Sequence, residues 1–207
     1  MLNKKEAYDL IDKVLTYCSH YTMVTVNSQE EGLTRFANSE IHQNVFKADN
    51  SVEIIVYDGK RQSKISTNIL DDESLREMVR TAEENLRYMP EGEFEMPEVA
   101  SPLEIACEEY DEELEGKFGI TNRAALIKAS INTLDSGFTG SGALSLTKTA
   151  IAIGNTKGIR RYARLDSVNF NTVVTHESGA SGYTEYSTNK AGNMDVMQLF
   201  KIRQRQP

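Results

Sequence analysis

The chain has no tryptophan, two cysteines, three histidines and four prolines in its 207 residues. Each scarcity excludes something. Two cysteines, Cys18 and Cys107, cannot build a disulfide framework or a cysteine-rich metal cluster, and isolated thiols of this kind usually serve as small apolar fillers. No apolar run approaches the roughly 20 residues that span a bilayer. The opening Met1-Leu2-Asn3-Lys4-Lys5-Glu6 passes directly into an amphipathic pattern without a signal-peptide core. The expected location is therefore cytoplasmic, with no membrane partner.

What is present is an ordinary globular composition. A 39% hydrophobic fraction is enough to bury one good core or two small ones. The net charge of -8 is local rather than global. Residues 89–117 hold eleven Asp and Glu against one Lys, so the rest of the chain is slightly basic.

Ala7, Leu10, Ile11, Val14, Leu15 and Cys18 recur at helical spacing behind Asn3 and Glu6, which have the pattern of a capping box, so a helix is predicted over 4–18. Period-two runs follow. Val24 and Val26, then Ile41, Gln43 and Val45, then Val52, Ile54 and Val56 predict four or five short antiparallel strands, with turns at Gly32, Asp49-Asn50 and Asp58-Gly59. From Asp72 the period is helical again through Leu75, Met78, Val79, Ala82 and Leu86.

Pro90, Pro97 and Pro102 fall inside the acidic stretch. Lost backbone donors and repelling carboxylates predict an extended connector over 89–117, with at most a helical turn near 103–110. Beyond it, Ala124, Ile127, Ile131 and Leu134 predict a helix started by Thr121 or Asn122 and stopped by Gly137. Residues 143–153 and 159–175 alternate on either side of Asn155-Thr156-Lys157-Gly158, the clearest hairpin in the chain. Apolar groups on both parities, Ile159, Leu165 and Val173 on one and Tyr162, Val168, Phe170 and Val174 on the other, predict a ribbon covered on both faces over at least part of its length, by its own domain or by a partner. The expected fold class is α+β. Its expected parts are an amino-terminal domain over 1–88, the acidic proline-containing connector over 89–117, and a second α+β region over 118–207, each pairing antiparallel strands with flanking helices.

The chemistry-bearing motifs are sparse. Two imidazoles one helical turn apart, with a nearby Glu, could hold a catalytic metal, but His20, His42 and His176 have no such spacing. His176-Glu177 is followed by Ser178-Gly179-Ala180-Ser181-Gly182, which supplies no second histidine and reads as a β turn rather than a phosphate cradle. No serine has an identifiable histidine base. Catalytic, metal and cofactor-binding residues are expected to be none in this chain. Arg160, Arg161 and Arg164 near Tyr162 and Phe170 form a basic-aromatic patch, but strand alternation splits it between two faces. Direct nucleic-acid binding is therefore not expected, and a solvated strand face or subunit contact is the better reading. The acidic stretch reads as a solvated linker, with nucleic-acid mimicry or a docking strap as alternatives.

The run from Gly32 to Asn44, with its Arg35-Phe36-Ala37-Asn38-Ser39 step, is followed by Val52 to Arg61 closing on Asp58-Gly59 and later by Ile153-Gly154-Asn155-Thr156-Lys157-Gly158. Their order resembles the TldD/PmbA (TldE) family, whose members are also called modulators of DNA gyrase. The resemblance implies a two-part zinc metallopeptidase subunit: an α+β amino-terminal region and a largely β carboxy-terminal half, acting in paired subunits on unfolded peptides. One paralogue of that family carries a His-Glu-x-x-x-His zinc motif in its later half. This chain corresponds to the front region only, with Val196, Met197, Leu199 and Phe200 reading as a helix cut short. The implied role is to build a homo- or heterodimer with a TldD/PmbA-type subunit and to admit peptide, without catalysis by itself. The edge of the hairpin from Ala143 to Val174 is the expected peptide-pairing strand, and Arg35, Asn38, Tyr162 and Arg164 are the expected peptide or partner contacts. The alternative is a non-enzymatic interaction module, either a gyrase modulator or a truncated partner subunit.

Overall fold

The structure is a computed structural model, and it describes residues 1–100 and 105–204. Among these are five α-helices and seven strands. In chain order they are α1 (Lys4–Leu15), β1 (Tyr21–Ala37), β2 (Glu40–Asp58), β3 (Arg61–Thr67), α2 (Asp72–Asn85), β4 (Ile105–Glu109), α3 (Glu113–Phe118), α4 (Ile120–Ile131), β5 (Phe138–Asn155), β6 (Arg160–His176), β7 (Ser181–Thr188) and α5 (Val196–Gln204). The strands are hydrogen-bonded in the order β3-β2-β1-β5-β6-β4, with β7 also paired to β6. The α+β class is as expected from sequence.

Helix α1 starts where the capping box places it. The Asn3 side chain accepts from the Glu6 backbone N–H, and the Glu6 carboxylate accepts from Asn3. It stops at Leu15, short of Cys18, because Thr16, Tyr17 and Cys18 turn their N–H groups to carbonyls three residues back, which tightens the last turn.

The early strands differ from the sequence reading. Three strands, two of them long, replace four or five short ones, and neither Gly32 nor Asp49-Asn50 is a turn. The reversal falls at Asn38 and Ser39, with φ of 49° and 63°, the left-handed pair that a two-residue hairpin requires. Ser39 N–H donates to the Gly140 carbonyl at 2.9 Å, and Asn38 N–H donates to Ser141 Oγ at 3.1 Å, so contacts remote in sequence fix this turn.

The chain groups into two compact units. The first is Met1–Gln29, Asp49–Glu108 and Thr149–Arg164; the second is Glu30–Ala48, Glu109–Lys148 and Leu165–Pro207. Sequence ranges 1–88 and 118–207 therefore each contribute to both units, because β1, β2, β5 and β6 are long enough to supply a segment to either one.

Unit 1 has its own core. Ile11 and Val14 of α1 and Leu75, Val79 and Ala82 of α2 pack on Val24, Ile54, Val56, Ala152 and Tyr162 from the strands. Arg160 ties this hairpin arm to α1 through an ion pair with Asp12. Unit 2 buries Phe36, Leu114, Phe118, Ile127, Leu144, Phe170 and Phe200, with the Phe200 ring 5.6 Å from Phe36 and 5.5 Å from Phe170.

Within the chain itself the hairpin is covered mainly on one face: even-numbered residues from Asp166 to Val174 are buried, whereas Leu165 and Val173 of the other parity are exposed at 51% and 37%. A further expectation fails. The acidic stretch is not a bare connector. It contains β4 and α3, since Leu114 and Phe118 supply enough apolar surface to seat a helical turn in the unit 2 core, and the Asp111 carboxylate accepts from Ala191 N–H at 2.8 Å. The helical turn expected near 103–110 is β4 from Ile105 on; residues 103 and 104 lie outside the described residues. Helix α4 begins at Ile120 after Gly119, rather than at a Thr121 or Asn122 cap, and ends at Ile131.

Candidate functional site

Unit 2 presents an open strand edge beside a small polar cavity. Strand β3 pairs only with Val52–Asp58 of β2, so the outer edge of residues 40–48 has no strand partner among the described residues. Unpaired backbone donors and acceptors of that kind accept an added strand. Most side chains here are exposed, Phe46 at 57% and Val45 at 41%, while Ile41 is half-buried against the unit 2 core.

Phe46 also lines a cavity of about 130 Å³ with Gly32, Glu115, Ile120, Arg123 and Leu146. Its far wall is an ion pair: Lys148 Nζ lies 2.6 Å from the Glu115 carboxylate and 3.8 Å from Glu30. Arg123 is 2% exposed, the largest fully buried side chain among the described residues. It stands on the inward stripe of α4 with Ile127 and Ser130, in a position that periodicity assigns to an apolar group. Only Nη1 is bonded, donating to the Phe118 carbonyl at 2.8 Å; Nε and Nη2 have no protein acceptor. Burial draws the guanidinium below the ordinary arginine range, and the Glu115 carboxylate opposes that shift.

Gly32 makes the space. A Cβ built there would lie 2.3–2.5 Å from three guanidinium atoms of Arg123, so the glycine in mid-strand is a close-approach residue rather than a turn. Sequence reasoning missed Arg123. The signals were a glycine interrupting a strand pattern and an arginine four residues before Ile127, but nothing in the sequence links the two.

Unit 1 has a larger polar cavity, about 370 Å³, lined by His20, Asp58, Arg61, Arg80 and Glu83 among others. Its charges answer one another. Arg80 pairs with Glu77 and Glu84, Arg61 with Glu91 at 3.3 Å, and His20 Nδ1 lies 3.5 Å from Glu83. The Arg80 pairs are exposed and solvated, whereas His20 Nδ1 and Arg61 Nε are buried without a hydrogen-bond partner.

The expected contact residues are dispersed between units. Arg35 and Asn38 belong to unit 2 and are exposed, Asn38 as the first turn residue. Tyr162 and Arg164 belong to unit 1. Tyr162 is buried with its ring edge-on to Tyr8 at 6.4 Å, which makes it a core residue. The expected peptide-pairing edge is also corrected: β5 lies between β1 and β6, and β6 is bonded to β5, β4 and β7, so the hairpin strands are interior. The histidines do not fit a metal site of the expected kind. His42 is exposed on β2, and the His176 ring packs 4.6 Å from Phe138 with Nδ1 2.9 Å from Ser178 Oγ. Among the described residues no three His, Cys, Asp or Glu side chains could hold an ion together.

Residues 24–86 match the family model described as PmbA/TldA metallopeptidase domain 1. The chain carries a PmbA/TldD-like domain. Its fold is that of solved structures with low sequence identity. A protein from Bacteroides thetaiotaomicron described as a modulator of DNA gyrase superposes with a TM-score of 0.75 at 13% identity, over 98% of this chain and 50% of that one. A Thermotoga maritima protein with the same description gives 0.73 at 16% identity, over 94% and 46%. TldE from Thermococcus kodakarensis gives 0.71 at 14% identity, over 94% and 45%. The chain thus spans about half the length of these structures. No curated protein matches it in sequence. In the PmbA/TldD-like domain matched here, residues 24–86 include the open edge of β2 but not Arg123. No helix among the described residues is long and apolar enough to cross a membrane.

Proposed function

We propose that this chain is the amino-terminal region of a TldD/PmbA-type metallopeptidase subunit, which assembles with a TldD/PmbA-type partner in the cytoplasm and admits unfolded peptide to a metal site supplied elsewhere. The observation that carries this reading is the conjunction of the family match over residues 24–86 with a fold shared over 94–98% of the chain but only about half of each solved relative. Cys18 and Cys107 are thiols rather than a disulfide pair, which accords with a reducing compartment.

The peptide-admitting role rests on β2. Backbone pairing along residues 40–48 would hold an extended peptide with little demand on its sequence, while exposed Val45 and Phe46 offer it apolar contact. Most backbone donors and acceptors of a folded protein are already paired, so such an edge favours unfolded peptides.

The purified chain, incubated with a labelled unfolded peptide, should bind it without cleaving it. Replacing alternate amide protons of the peptide with N-methyl groups should abolish binding, since those donors would pair with β2. Hydrolysis by the isolated chain that survives a chelator control would refute the non-catalytic role. Undiminished binding of the N-methylated peptide would refute strand addition.

A further inference from the structure

We propose that Tyr21 and Asn155 form a main-chain binding site for an extended peptide, and that residues 98–99 of the chain occupy it in cis as a strap that lifts. Every residue of this site belongs to unit 1, so it stands or falls apart from the open β2 edge in unit 2.

Residues 89–100 form neither helix nor strand, and each residue from Glu91 to Ala100 is exposed, Phe94 at 79% and Val99 at 48%. Apolar burial therefore does not hold this segment down. Its anchors are polar: Gly92 N–H donates to the Lys60 carbonyl at 2.8 Å, Arg61 pairs with Glu91 at 3.3 Å, and Lys157 pairs with Glu98 at 2.6 Å. Exposed ion pairs add little. The most specific hold is on the backbone of Val99, whose N–H donates to Tyr21 Oη at 3.1 Å and whose carbonyl accepts from Asn155 Nδ2 at 2.8 Å. A segment tied by so few bonds opens locally without unfolding the core.

The two clamping groups are positioned without the strap. Asn155 Oδ1 accepts from Lys157 and Ile159 N–H at 3.0 Å, which orients the amide and leaves Nδ2 to donate to Tyr21 Oη at 3.1 Å and to the strap. The Tyr21 ring lies 5.6 Å from the buried Tyr57 ring, which fixes it in turn. Groups held in place beforehand bind at low ordering cost.

The strap shows what the site accepts. Both bonds go to the main chain of an exposed residue, so the clamp reads an extended backbone rather than a side chain. Lys157 adds a preference for an acidic residue just before the clamped one, as Glu98 stands before Val99. The tethered strap competes at an effective concentration on the order of millimolar, so a free peptide enters when the strap is weakened.

Amide hydrogen exchange on the full 207-residue chain tests the lift. Val99 N–H should exchange by local opening, well before core amides such as that of Val24. A capped peptide repeating residues 95–100 tests the site. Titrated into Val99→Pro, which removes the strap's N–H and leaves Tyr21 and Asn155 intact, it should move the Asn155 Nδ2–H resonances saturably and leave those of Asn122 unmoved. It should bind this variant about tenfold more tightly than wild type, and N-methylation of the peptide's valine should remove about tenfold in affinity. Glu98→Lys, which sets a cation against Lys157, repeats the comparison where Val99→Pro folds poorly.

Exchange at Val99 as slow as at Val24 overturns the proposal, as does a peptide that moves the Asn155 resonances in neither variant. Equal binding of the N-methylated peptide, or equal affinity in wild type and both variants, also overturns it. Movement confined to residues 40–48 would refute this site and support the β2 edge instead.

Discussion

Gly142→Ala is the sharpest perturbation the structure offers. Gly142 lies on β5 directly against β6, and a Cβ there would fall 2.1 Å from the Asn171 carbonyl oxygen, 2.9 Å from Thr172 Cα and 3.0 Å from the Asn171 carbonyl carbon. All three are backbone atoms, so no rotamer change relieves the clash; the strands must separate by roughly 1 Å, since real Cβ contacts stay above 3.0 Å. Separation weakens the bond from Thr172 Oγ1 to the Ser141 carbonyl, now 3.2 Å, and disturbs Ser141 Oγ where it accepts from Asn38 at the β1–β2 turn. Overpacking strain of about 1–3 kcal/mol and one or two weakened hydrogen bonds at about 1 kcal/mol each give a destabilisation of about 2–4 kcal/mol. For a chain of this length that is a fall in melting temperature of roughly 5–15 °C. Urea denaturation followed by circular dichroism measures it. Gly116→Ala is the control: it has open space around it within α3, and its stability should hold or rise by about 0.5–1 kcal/mol. A Gly142→Ala loss no larger than the scatter of Gly116→Ala would refute the close approach of β5 and β6.

Other outcomes follow from single side chains. Asn155 is buried, donates to Tyr21 Oη at 3.1 Å and the Val99 carbonyl at 2.8 Å, and accepts from Lys157 and Ile159 N–H at 3.0 Å. Asn155→Ala should cost about 2–4 kcal/mol in urea unfolding, and Asn155→Asp should not restore the donors. The Asp111 carboxyl is held below its ordinary range by the Ala191 and Glu113 N–H groups, so its contribution to stability is present above the unfolded-state pKa and lost as pH falls through the lower folded value. The urea midpoints of wild type and Asp111→Asn should therefore differ at about pH 7 and converge in strong acid; a constant gap would contradict the assignment. Burial pushes the Cys18 thiol up to about 11, while Cys107 is exposed, so iodoacetamide near pH 8 should modify Cys107 first, as peptide mapping would show. Equal rates at both thiols would place Cys18 in solvent.

Several elements were legible in the linear order because their determinants are local. Asn3 and Glu6 are three residues apart and cap each other, Leu75, Met78, Val79 and Ala82 share one helical face, and Asn155 organises its own turn through Lys157 and Ile159. Strand ends were less legible. Alternation says that residues are extended but not where they stop: Gly32 has the composition of a turn, yet in the structure it is the gap that Arg123 fills. The Asn38-Ser39 reversal is held by Gly140 and Ser141, about a hundred residues away. Leu114 and Phe118 within an acidic stretch were likewise outweighed by their charged neighbours until the unit 2 core offered them a place.

By itself the sequence determined the α+β class, the helices with local caps, the principal hairpin and the order of segments that points to a PmbA/TldD-like domain, since each depends on spacing along the chain. Tertiary structure alone decided which strand edge is open, that Tyr162 is core and that an arginine stands buried with two donors unanswered. Pairing, burial and satisfaction are relations between residues far apart in the chain, and they exist only once β1, β2, β5 and α4 have come together.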